Sequence, residues 1–321
     1  NARALAFVKS PAMRWVLYTC PDTVLSCISL DTMRWHLDAL ELSRMIRLSL
    51  CSEIWADGGE EVPEGVLHQA TAPWPELEAV LERTLRHARG LKILYLVEES
   101  GEIVFDILVI QTLLRLGHRV TLSVKDGFSL TTPTVWDIER DPSLVELLEE
   151  AMVVDSPRLS KNELLRLHRE NPFLVIGDGT RERLNLWRTS VTFARSWKEA
   201  DLIIAKGEPH FRRLIANSHQ FTRDIICLYV DAGGTYRVVF KEKSPRVTKI
   251  TEPQIRTRAD SIITAMRAAR GQGKQVMFYS AIIGSIPGQT KTAIQVVNTF
   301  VAHLRSKYTN LFIINPAEHF V

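Results

Sequence analysis

The spacing of apolar residues divides the chain into two parts. Before about residue 88, apolar residues recur at helical spacing, most clearly in Met33–Leu50 and Leu77–Leu91, as on the buried face of an amphipathic helix. A polar loop, Ala56–Pro63, separates these two segments. From Leu91 onward, short continuous apolar runs alternate with amphipathic segments. This second pattern is typical of buried strands that are connected by helices.

The alternating part predicts an α/β fold. Strands are expected at Leu91–Val97, His118–Val124, Phe173–Ile176, Asp201–Ala205, Ile225–Val230, Gln275–Ile283 and Leu311–Ile314, and helices at Ile103–Leu116, Leu144–Met152, Lys161–His168, Arg181–Trp197, Ala259–Arg270 and Thr290–Ser306. Because continuous apolar strands are buried on both faces, we expect a three-layer α/β/α architecture with a mainly parallel central sheet. The predicted organisation is a helical N-terminal portion, residues 1–88, followed by an α/β domain, residues 89–321, whose last part, residues 263–321, adds further βα units.

Composition and charge narrow the classes of function. The chain has 321 residues, of which 45% are hydrophobic and 24% charged, and its net charge of +3 argues against nucleic acid as a partner. No apolar run approaches the ~20 residues of a membrane helix, so no membrane partner is expected. The four cysteines, Cys20, Cys27, Cys51 and Cys227, form no Cys-x-x-Cys pair, which favours a reducing, cytoplasmic location. The chain begins at Asn1 rather than methionine, so we expect further residues to precede it; the oligomeric state is left open.

Four groups of polar residues begin where predicted strands end. They are Glu98–Glu102, Lys125–Asp137, Gly177–Thr180 and Lys206–His210. Ligands of open α/β sheets bind just beyond the carboxyl ends of the strands. We therefore expect the four groups to converge on one edge of the sheet and to form the functional site.

The residue types in these groups suit phosphoryl chemistry. Clustered carboxylates repel one another unless a cation relieves them, and they suit a hard cation such as magnesium. Lys206 offers a point charge for a phosphoryl oxygen, and the hydroxyls of Thr131, Thr132 and Thr134, with nearby glycine backbone, can hold an anion. A metal, a lysine and backbone donors together stabilise phosphoryl transfer.

Each of these positions also has a purely structural interpretation. Glu102 suits the positive N-terminus of the following helix, and Asp178, between two glycines, suits a turn. Lys206–Gly207 could be a solvated strand end, and His210 could be a surface or core histidine. Arg212–Arg213 could belong to a basic pocket for a phosphorylated or carboxylated ligand, or they could be exposed helix charges.

Four motifs occur in the order found in a known family. Tyr95–Asp106 (YLVEESGEIVFD) stands where that family has a strand ending in Asp-Asn-x-Gly-(x)-Glu, and Thr131–Asp137 (TTPTVWD) stands at its loop Asn/Ser-Asp-x-Thr-x-x-Asp. Ala200–Leu214 (ADLIIAKGEPHFRRL) matches Ala-Asp-Leu-Val-Ile-x-Lys-Gly-x-x-Asn-Tyr most closely, and Arg256–Asp260 (RTRAD) is similar to Arg-Thr-x-Lys-Ala-Asp. Over residues 90–262 the chain thus resembles the metal-dependent damage-control phosphatases, including their acidic-residue methyltransferase-like branch.

The resemblance implies a role for each candidate residue. At the family's three metal positions this chain has Glu98, Glu99 and Thr132, and His210 replaces the asparagine of the lysine motif. Glutamate binds cations with an oxygen displaced by an extra methylene, whereas threonine supplies no carboxylate. The residues expected in the site are Lys206 and Asp178 as catalytic residues, Thr132, Thr134, Arg256 and Gly207 as substrate-binding residues, and Glu98, Glu99, Asp137 and His210 as metal ligands.

Three hypotheses follow from this altered ligand set. The first is a metal-dependent hydrolase that acts on a small phosphorylated metabolite with magnesium, manganese, cobalt or nickel. The second is a repurposed metalloenzyme of the same fold, in which Glu98, Glu99 and His210 bind iron, manganese or zinc, because imidazole with carboxylates suits these metals better than magnesium. The third is a non-catalytic relative that keeps the fold for binding or assembly.

Overall fold

The computed structural model describes residues 1–51, 55, 62–181, 184–245, 247, 252–280 and 290–319. It consists of two compact units, Asn1–Val247 and Thr248–Val321. Residues 56–61 of the predicted polar loop and the end of the predicted strand Gln275–Ile283 lie outside the described residues. The division of the chain at residue 88, which was expected from the change in periodicity, stays a prediction.

Helices form the N-terminal part of the first unit, as the periodicity predicts. They are α1 (Ala2–Val8), α2 (Pro11–Tyr18), α3 (Asp22–Leu25), α4 (Leu30–Ser49), α5 (Glu64–Thr71) and α6 (Pro75–Leu85). The buried Arg44 of α4 donates to the carbonyl oxygens of Val16 and Leu17 at 2.6 and 3.0 Å, which satisfies acceptors that the end of α2 leaves free. Helix α6 ends six residues before the predicted boundary at Leu91, and the chain then reaches Gly90, where φ is +64°.

A seven-stranded sheet forms the centre of this unit. Its strands are β1 (Lys92–Leu96), β2 (Arg119–Val124), β3 (Met152–Val154), β4 (Phe173–Gly177), β5 (Leu202–Lys206), β6 (Asp224–Val230) and β7 (Tyr236–Lys241). The strand order is β3-β4-β2-β1-β5-β6-β7, and every pair is parallel except β6 with β7. The predicted mainly parallel sheet is therefore confirmed, with β1 at its middle and β2 and β5 on either side.

Helices cover both faces of the sheet. They are α7 (Ile103–Arg115), α8 (Val135–Arg140), α9 (Pro142–Leu147), α10 (Lys161–Glu170), α11 (Val191–Glu199), α12 (Glu208–His210) and a π-helical turn, Phe211–Ile215. Tyr95 of β1 packs with Phe105 of α7 and the N-terminal helices, whereas Leu94 and Leu96 pack with Phe193 of α11. Each such fully buried large side chain contributes roughly 1.5–3 kcal/mol to folding. The predicted three-layer α/β/α architecture is confirmed.

Three local predictions were wrong. The segment Leu144–Met152 is not one helix, because α9 ends at Leu147 and Met152 begins β3, where it pairs with Leu174. The predicted helix Arg181–Trp197 begins only at Val191, where the Ser190 side chain accepts a hydrogen bond from the backbone N–H of Phe193 and caps the helix. Strand β7 was missed because its edge position mixes charged and apolar residues.

The second unit contains the remaining elements. They are α13 (Glu252–Gly271), β8 (Gln275–Phe278), α14 (Thr290–Lys307), β9 (Leu311–Ile314) and α15 (Pro316–His319). Strands β8 and β9 pair with each other in a two-stranded parallel sheet of their own. No helix among the described residues is long and apolar enough to cross a membrane.

Candidate active site

A small pocket lies beyond the carboxyl ends of β1, β2 and β5, and we call it the carboxyl-edge pocket. Its volume is about 200 Å³, and its walls are formed by Val97, Glu98, Glu99, Lys125, Thr131, Thr132, Leu184, Pro209, His210 and Arg213. The loops after β1 and β2 are joined there by a hydrogen bond of 2.7 Å from the Ser100 N–H to the Thr131 carbonyl oxygen. The structure thus brings Glu98, Glu99, Thr132 and His210 of the predicted set to one pocket.

Glu98 packs directly against Gly207. A methyl group added at Gly207 would lie 1.3 Å from Oε2 of Glu98, and the φ of Gly207 is +98°, a conformation that favours glycine. The Gly207 N–H donates to the Leu228 carbonyl oxygen at 2.7 Å, so it is already committed within the sheet. Gly207 therefore provides space for the Glu98 carboxyl group, whereas its predicted contact with substrate stays a prediction.

The Glu98 carboxyl group sits in an acidic and partly buried environment. Burial and then the Glu102 carboxylate raise the pKa of Glu98 to about 8, against the opposing effect of Lys206. Negative charge at this end of β1 is thus only partly balanced by the protein's own cations. A group in this position gains stability in its ionised form when a further positive charge is added.

Lys206, the last residue of β5, is completely buried in an ion network behind the pocket. Its Nζ lies 2.6 Å from Oε2 of Glu102 and 2.7 Å from Oδ2 of Asp106, and it donates to the Ser49 carbonyl oxygen at 2.8 Å. Burial lowers the pKa of Lys206, but Asp106 and Glu102 outweigh this effect and raise it. All three ammonium donors are used, and the side chain, which is 0% exposed, does not line the carboxyl-edge pocket.

Asp106 connects this network to the central strand. The hydroxyl group of Tyr95 in β1 donates to Oδ1 of Asp106 at 2.8 Å, while Oδ2 accepts from Lys206. Burial raises the pKa of Asp106, and Lys206 and Tyr95 oppose this rise. The network holds two carboxylates around one ammonium, so it carries net negative charge when all three groups are ionised.

Lys125, directly after β2, belongs to a second buried ion pair. Its Nζ donates to Oδ2 of Asp178 at 2.7 Å and to Oγ1 of Thr180 at 3.0 Å. The Thr180 N–H in turn donates to Oδ1 of Asp178 at 2.7 Å. Unlike Lys206, Lys125 lines the carboxyl-edge pocket. Asp178, the predicted catalytic residue, is 4% exposed and reaches the pocket only through Lys125.

His210 and Arg213 complete one wall of the pocket. The Nδ1–H of His210 donates to the Lys206 carbonyl oxygen at 2.7 Å, which leaves Nε2 as an acceptor in the neutral ring. Burial lowers the pKa of His210 to about 4, and Lys125 and Arg213 add to this effect, so the ring is neutral at physiological pH. The neighbouring Arg212 instead pairs with Glu208 at 2.6 Å.

Two other predicted site residues of the first unit lie away from the pocket wall. Thr134 and Asp137 form the capping box of α8, in which Oδ2 of Asp137 accepts from the N–H and hydroxyl groups of Thr134 at 2.8 and 2.7 Å. This use of the Asp137 carboxylate is structural. Arg256 belongs to the second unit, where it is exposed on α13. Their proposed metal and substrate contacts stay predictions.

Sequence reasoning did not assign Lys125 a role and left Arg213 between a basic pocket and an exposed helix charge. Lys125 follows an apolar strand directly, as Lys206 ends one, and this shared position is the sequence signal that could have found it. Nothing in the sequence spacing indicates that Lys125 pairs with Asp178, 53 positions further on. The distinction between the two lysines comes from tertiary contacts alone.

The divalent cation that the sequence resemblance implies fits the donors of this pocket. Glu98 and Glu99 present carboxylate oxygens, and the raised pKa of Glu98 marks a place where added positive charge is favourable. No three His, Cys, Asp or Glu residues are grouped as a metal site in the part of the chain that the structure describes. Magnesium is commonly held by one or two carboxylates, with water and substrate phosphate as the other ligands, so two glutamates suffice.

Comparison with known proteins places the site within a known domain. Residues 48–243 match the model of the damage-control phosphatase ARMT1-like domain, and this range contains every residue of the carboxyl-edge pocket. A DUF89 family protein from Pyrococcus horikoshii is 20% identical in sequence, with a TM-score of 0.41 over 70% of this chain and 67% of that one. A comparison with curated proteins finds no match.

Proposed function

The chain belongs to the damage-control phosphatase ARMT1-like family, and we propose that it hydrolyses a small phosphorylated metabolite with the help of a divalent cation. The observation that supports this most is the set of charged side chains that line the carboxyl-edge pocket. It combines the carboxylates of Glu98 and Glu99 with the cationic side chains of Lys125 and Arg213. A phosphatase needs both kinds of group, one for the metal and one for the phosphoryl oxygens.

Glu98 and Glu99 are the residues that would hold the cation. Magnesium, manganese, cobalt and nickel all accept carboxylate oxygens. When bound, such an ion neutralises charge on the phosphoryl group as a Lewis acid. The space beside Gly207 allows the Glu98 carboxyl group to occupy its position at the end of β1. A cation at this place also offsets the burial and the repulsion from Glu102 that raise the pKa of Glu98.

Lys125 and Arg213 are proposed to bind the phosphoryl oxygens. Two of the three Lys125 ammonium donors are used by Asp178 and Thr180, and the third remains for a ligand in the pocket. Arg213 is exposed at the pocket wall, and its planar guanidinium suits two phosphate oxygens at once. The hydroxyl groups of Thr131 and Thr132 can add neutral donors. In the reaction, the bond from phosphorus to the leaving oxygen breaks and a water oxygen takes its place.

Lys206 and Asp178 are proposed as positioning residues. Lys206 would have to give up one of its three buried hydrogen bonds to contact a phosphate, whereas in place it fixes the helix α7 carboxylates behind Glu98. Asp178 holds the ammonium group of Lys125 at the pocket wall. We therefore propose that the lysine of the sequence motif, Lys206, supports the proposed metal position by holding the neighbouring carboxylates in place.

The size of the pocket favours a small substrate. A volume of about 200 Å³ lies below the range of roughly 300–1,000 Å³ that is usual for sites enclosing drug-sized ligands. It accommodates a phosphoryl group and the few atoms next to it, and the rest of a larger ester would extend into solvent. The substrate class is thus a phosphate monoester of a small metabolite, in a cytoplasmic setting that the cysteine content favours.

A second candidate function rests on the orientation of His210. Because its Nδ1–H is fixed by the Lys206 carbonyl oxygen, Nε2 is available as a ligand, and metal-binding histidines commonly have such a backbone partner. Glu98, Glu99 and His210 would then bind iron, manganese or zinc for chemistry other than phosphate hydrolysis. The identity of the metal that co-purifies with the protein separates this candidate from the first.

The decisive experiment combines metal binding with hydrolysis. Purified protein, stripped of metal, is titrated with each divalent ion by calorimetry, and turnover of an aryl phosphate is measured at saturating metal. We expect one ion to bind and to activate hydrolysis, and Glu98→Gln and Glu99→Gln each to weaken binding roughly tenfold or more, as for a lost charged ligand. Glu208→Gln, which removes a nearby, partly exposed carboxylate that pairs with Arg212 outside the pocket wall, is the matched control. It removes the same charge without removing a proposed ligand, so it should change metal affinity far less than the two pocket variants.

Three results would contradict the proposal. Metal binding without hydrolysis of any phosphate monoester would favour the repurposed metalloenzyme. Neither binding nor hydrolysis with any of the four ions would favour the non-catalytic relative. Equal metal affinity in the Glu98→Gln and Glu208→Gln variants would remove Glu98 from the ligand set.

A further inference from the structure

A second polar pocket lies at the opposite edge of the same sheet, and we call it the amino-edge pocket. Its walls are Gly90, Lys92, Arg119, Asn162, Leu165, His168 and Arg169, and its volume is about 430 Å³. Lys92 and Arg119 are the first residues of β1 and β2, whereas the carboxyl-edge pocket follows the ends of these strands. The two pockets share no residue.

The charge of the amino-edge pocket is of one sign. Lys92, Arg119 and Arg169 are cationic and Asn162 adds an amide, whereas no carboxylate appears among the described residues of its wall. None of the three cations forms an ion pair within the described part of the chain. Three uncompensated cations around one cavity repel one another, and a bound anion would remove that repulsion.

Arg119 is held in place by the backbone. One of its terminal nitrogens, Nη1, donates to the carbonyl oxygens of His168 and Arg169 near the end of α10. These contacts fix the plane of the guanidinium group while Nε and Nη2 have no hydrogen-bond partner among the described residues. A pre-oriented guanidinium with free donors is well suited to an oxyanion.

His168 provides an independent sign of this positive environment. It is 5% exposed, its Nε2 lies 3.3 Å from Oγ1 of Thr121, and its Nδ1 has no hydrogen-bond partner in the described part of the chain. Burial, followed by Lys92 and Arg119, lowers the pKa of His168 to about 4. Glu199, which acts in the other direction, pairs with Lys161 at 3.2 Å. The pKa of the His168 imidazole therefore depends on the charge in the pocket and can be used to measure a change in it.

We propose that the amino-edge pocket binds a small phosphate-bearing anion with at least two negative charges. Lys92, Arg119 and Arg169 would contact its oxygens, with Asn162 as a neutral donor. A volume of about 430 Å³ is enough for a pyrophosphate group or a nucleoside diphosphate. This site is separate from the proposed active site, so its occupation can change stability or turnover without competing with the substrate.

The test uses pyrophosphate, inorganic phosphate and a nucleoside diphosphate as probes, with calorimetry at constant ionic strength. All binding is measured in a Lys125→Gln/Arg213→Gln background, which disables the carboxyl-edge pocket. We expect pyrophosphate to bind to the amino-edge pocket of this background protein. Adding Lys92→Gln and Arg169→Gln should weaken that binding roughly tenfold or more through the loss of charge-assisted hydrogen bonds. Arg166→Gln with Lys198→Gln, an equal loss of charge on α10 and α11 outside the pocket wall, should leave the affinity within about twofold, as for screened surface charges.

A nuclear magnetic resonance titration of His168 supplies a second measurement. Bound pyrophosphate should raise the pKa of this imidazole in the background protein but not after Lys92→Gln and Arg169→Gln. Stronger binding of the nucleoside diphosphate than of pyrophosphate would identify a nucleotide as the ligand, whereas equal binding would identify the phosphate groups alone. The proposal is overturned if pyrophosphate fails to bind once the carboxyl-edge pocket is disabled, or if the control pair weakens binding as much as the pocket pair.

Discussion

Two buried lysines end the strands on either side of β1, and their surroundings differ in one respect that decides their roles. Lys206 is the last residue of β5 and lies in a network with Glu102, Asp106 and the Ser49 carbonyl oxygen. Lys125 follows β2 and contacts Asp178 and Thr180. The first lysine uses all of its donors away from solvent, whereas the second keeps one donor at a pocket wall. Lys125 lies one register position beyond Lys206 at the same edge of the sheet, so the two side chains leave opposite faces. Lys206 is thus closed into a structural network, whereas Lys125 is the lysine that we propose for ligand binding.

The charge balance of the two networks differs as well. The Lys206 network has two carboxylates for one ammonium, and burial with the nearby Asp106 raises the pKa of Glu102 to about 7. The Lys125 network pairs one carboxylate with one ammonium. Buried carboxylates without sufficient positive charge are costly, so the Lys206 network depends on its single cation. We therefore expect loss of Lys206 to act mainly on stability. Loss of Lys125 should lower turnover as well as stability, because it leaves the buried Asp178 without its cation.

Removal of the Lys206 ammonium should have the largest effect on stability. In Lys206→Met, two buried carboxylates lose their only cation, and breaking a buried ion pair in this way costs about 3–5 kcal/mol. Chemical denaturation should show this loss in the free energy of unfolding. The triple variant Lys206→Met/Glu102→Gln/Asp106→Asn should recover most of it, because neutral groups of similar shape replace the whole network.

The same variant tests the direct role that the sequence motif implied for Lys206. If Lys206→Met unfolds at the wild-type denaturant concentration and yet has no hydrolysis, Lys206 acts on the phosphate itself and the contrast between the lysines fails. If the triple variant folds and retains part of its turnover, Lys206 is a positioning residue.

Removal of the Lys125 ammonium should instead affect turnover most. Lys125→Met deletes the proposed phosphoryl contact, and loss of one such electrostatic contact typically lowers kcat by about 10²–10³-fold. Steady-state kinetics with an aryl phosphate would measure it, at saturating metal. Lys241→Met, which removes a partly buried lysine on β7 that donates to backbone carbonyl groups, is the control and should keep its kcat. Equal kcat in both variants would contradict the role of Lys125.

The fold could be predicted from the sequence where burial is uniform. Strands β1 and β5 were placed to within one residue of their observed bounds, because their continuous apolar runs report two buried faces. The edge strand β3 has only three residues, and the other edge strand, β7, mixes charged and apolar residues, so neither has an apolar run of comparable length. The predicted start of helix α11 was too early. The helix begins after Ser190, whose side chain caps it, although the helical spacing of apolar residues extends further back along the chain.

The candidate site was predictable in its location and not in its pairings. Glu98, Glu99 and His210 were placed together because the ends of parallel strands meet at one edge. Asp137 and Thr134 follow a strand in the same way, yet they cap α8 instead. Which carboxylate pairs with which lysine depends on contacts between residues 50 to 100 positions apart, and spacing along the chain does not encode these contacts.

The pH dependence of stability should distinguish the two networks further. The pKa of Glu102 is raised from 4.5 to about 7 by burial and Asp106, so between these values the folded state binds more protons than the unfolded state. Stability due to Glu102 therefore falls as the pH rises from about 4.5 to about 7, by at most about 3 kcal/mol. Glu102→Gln, whose amide oxygen still accepts from Lys206, should remove this loss.

The measurement is the difference between Glu102→Gln and the wild type in the free energy of unfolding across this range of pH. The difference removes the contributions of His168 and His210, whose pKa values are lowered to about 4 and whose stabilisation is lost as the pH falls in both proteins. It includes a smaller change at Glu98, because loss of the Glu102 charge lowers the raised pKa of Glu98. Parallel curves for the two proteins would show that Glu102 is ionised throughout, and the proposed excess of negative charge around Lys206 would be wrong.

The smallest effect is expected from the hydroxyl group that orients Lys125. Thr180→Val removes the contact of 3.0 Å to the Lys125 ammonium and the hydroxyl's own hydrogen bond to the Asp178 carboxylate at 2.9 Å, and it keeps the pair between Lys125 and Asp178. The weaker hold on Lys125 should lower kcat roughly threefold to tenfold, equivalent to about 1 kcal/mol. Thr180→Ser should restore kcat because serine supplies the same oxygen. If Thr180→Val raises KM alone, the hydroxyl acts on substrate binding; if it changes neither constant, Asp178 by itself orients Lys125, and the second network is a simple ion pair.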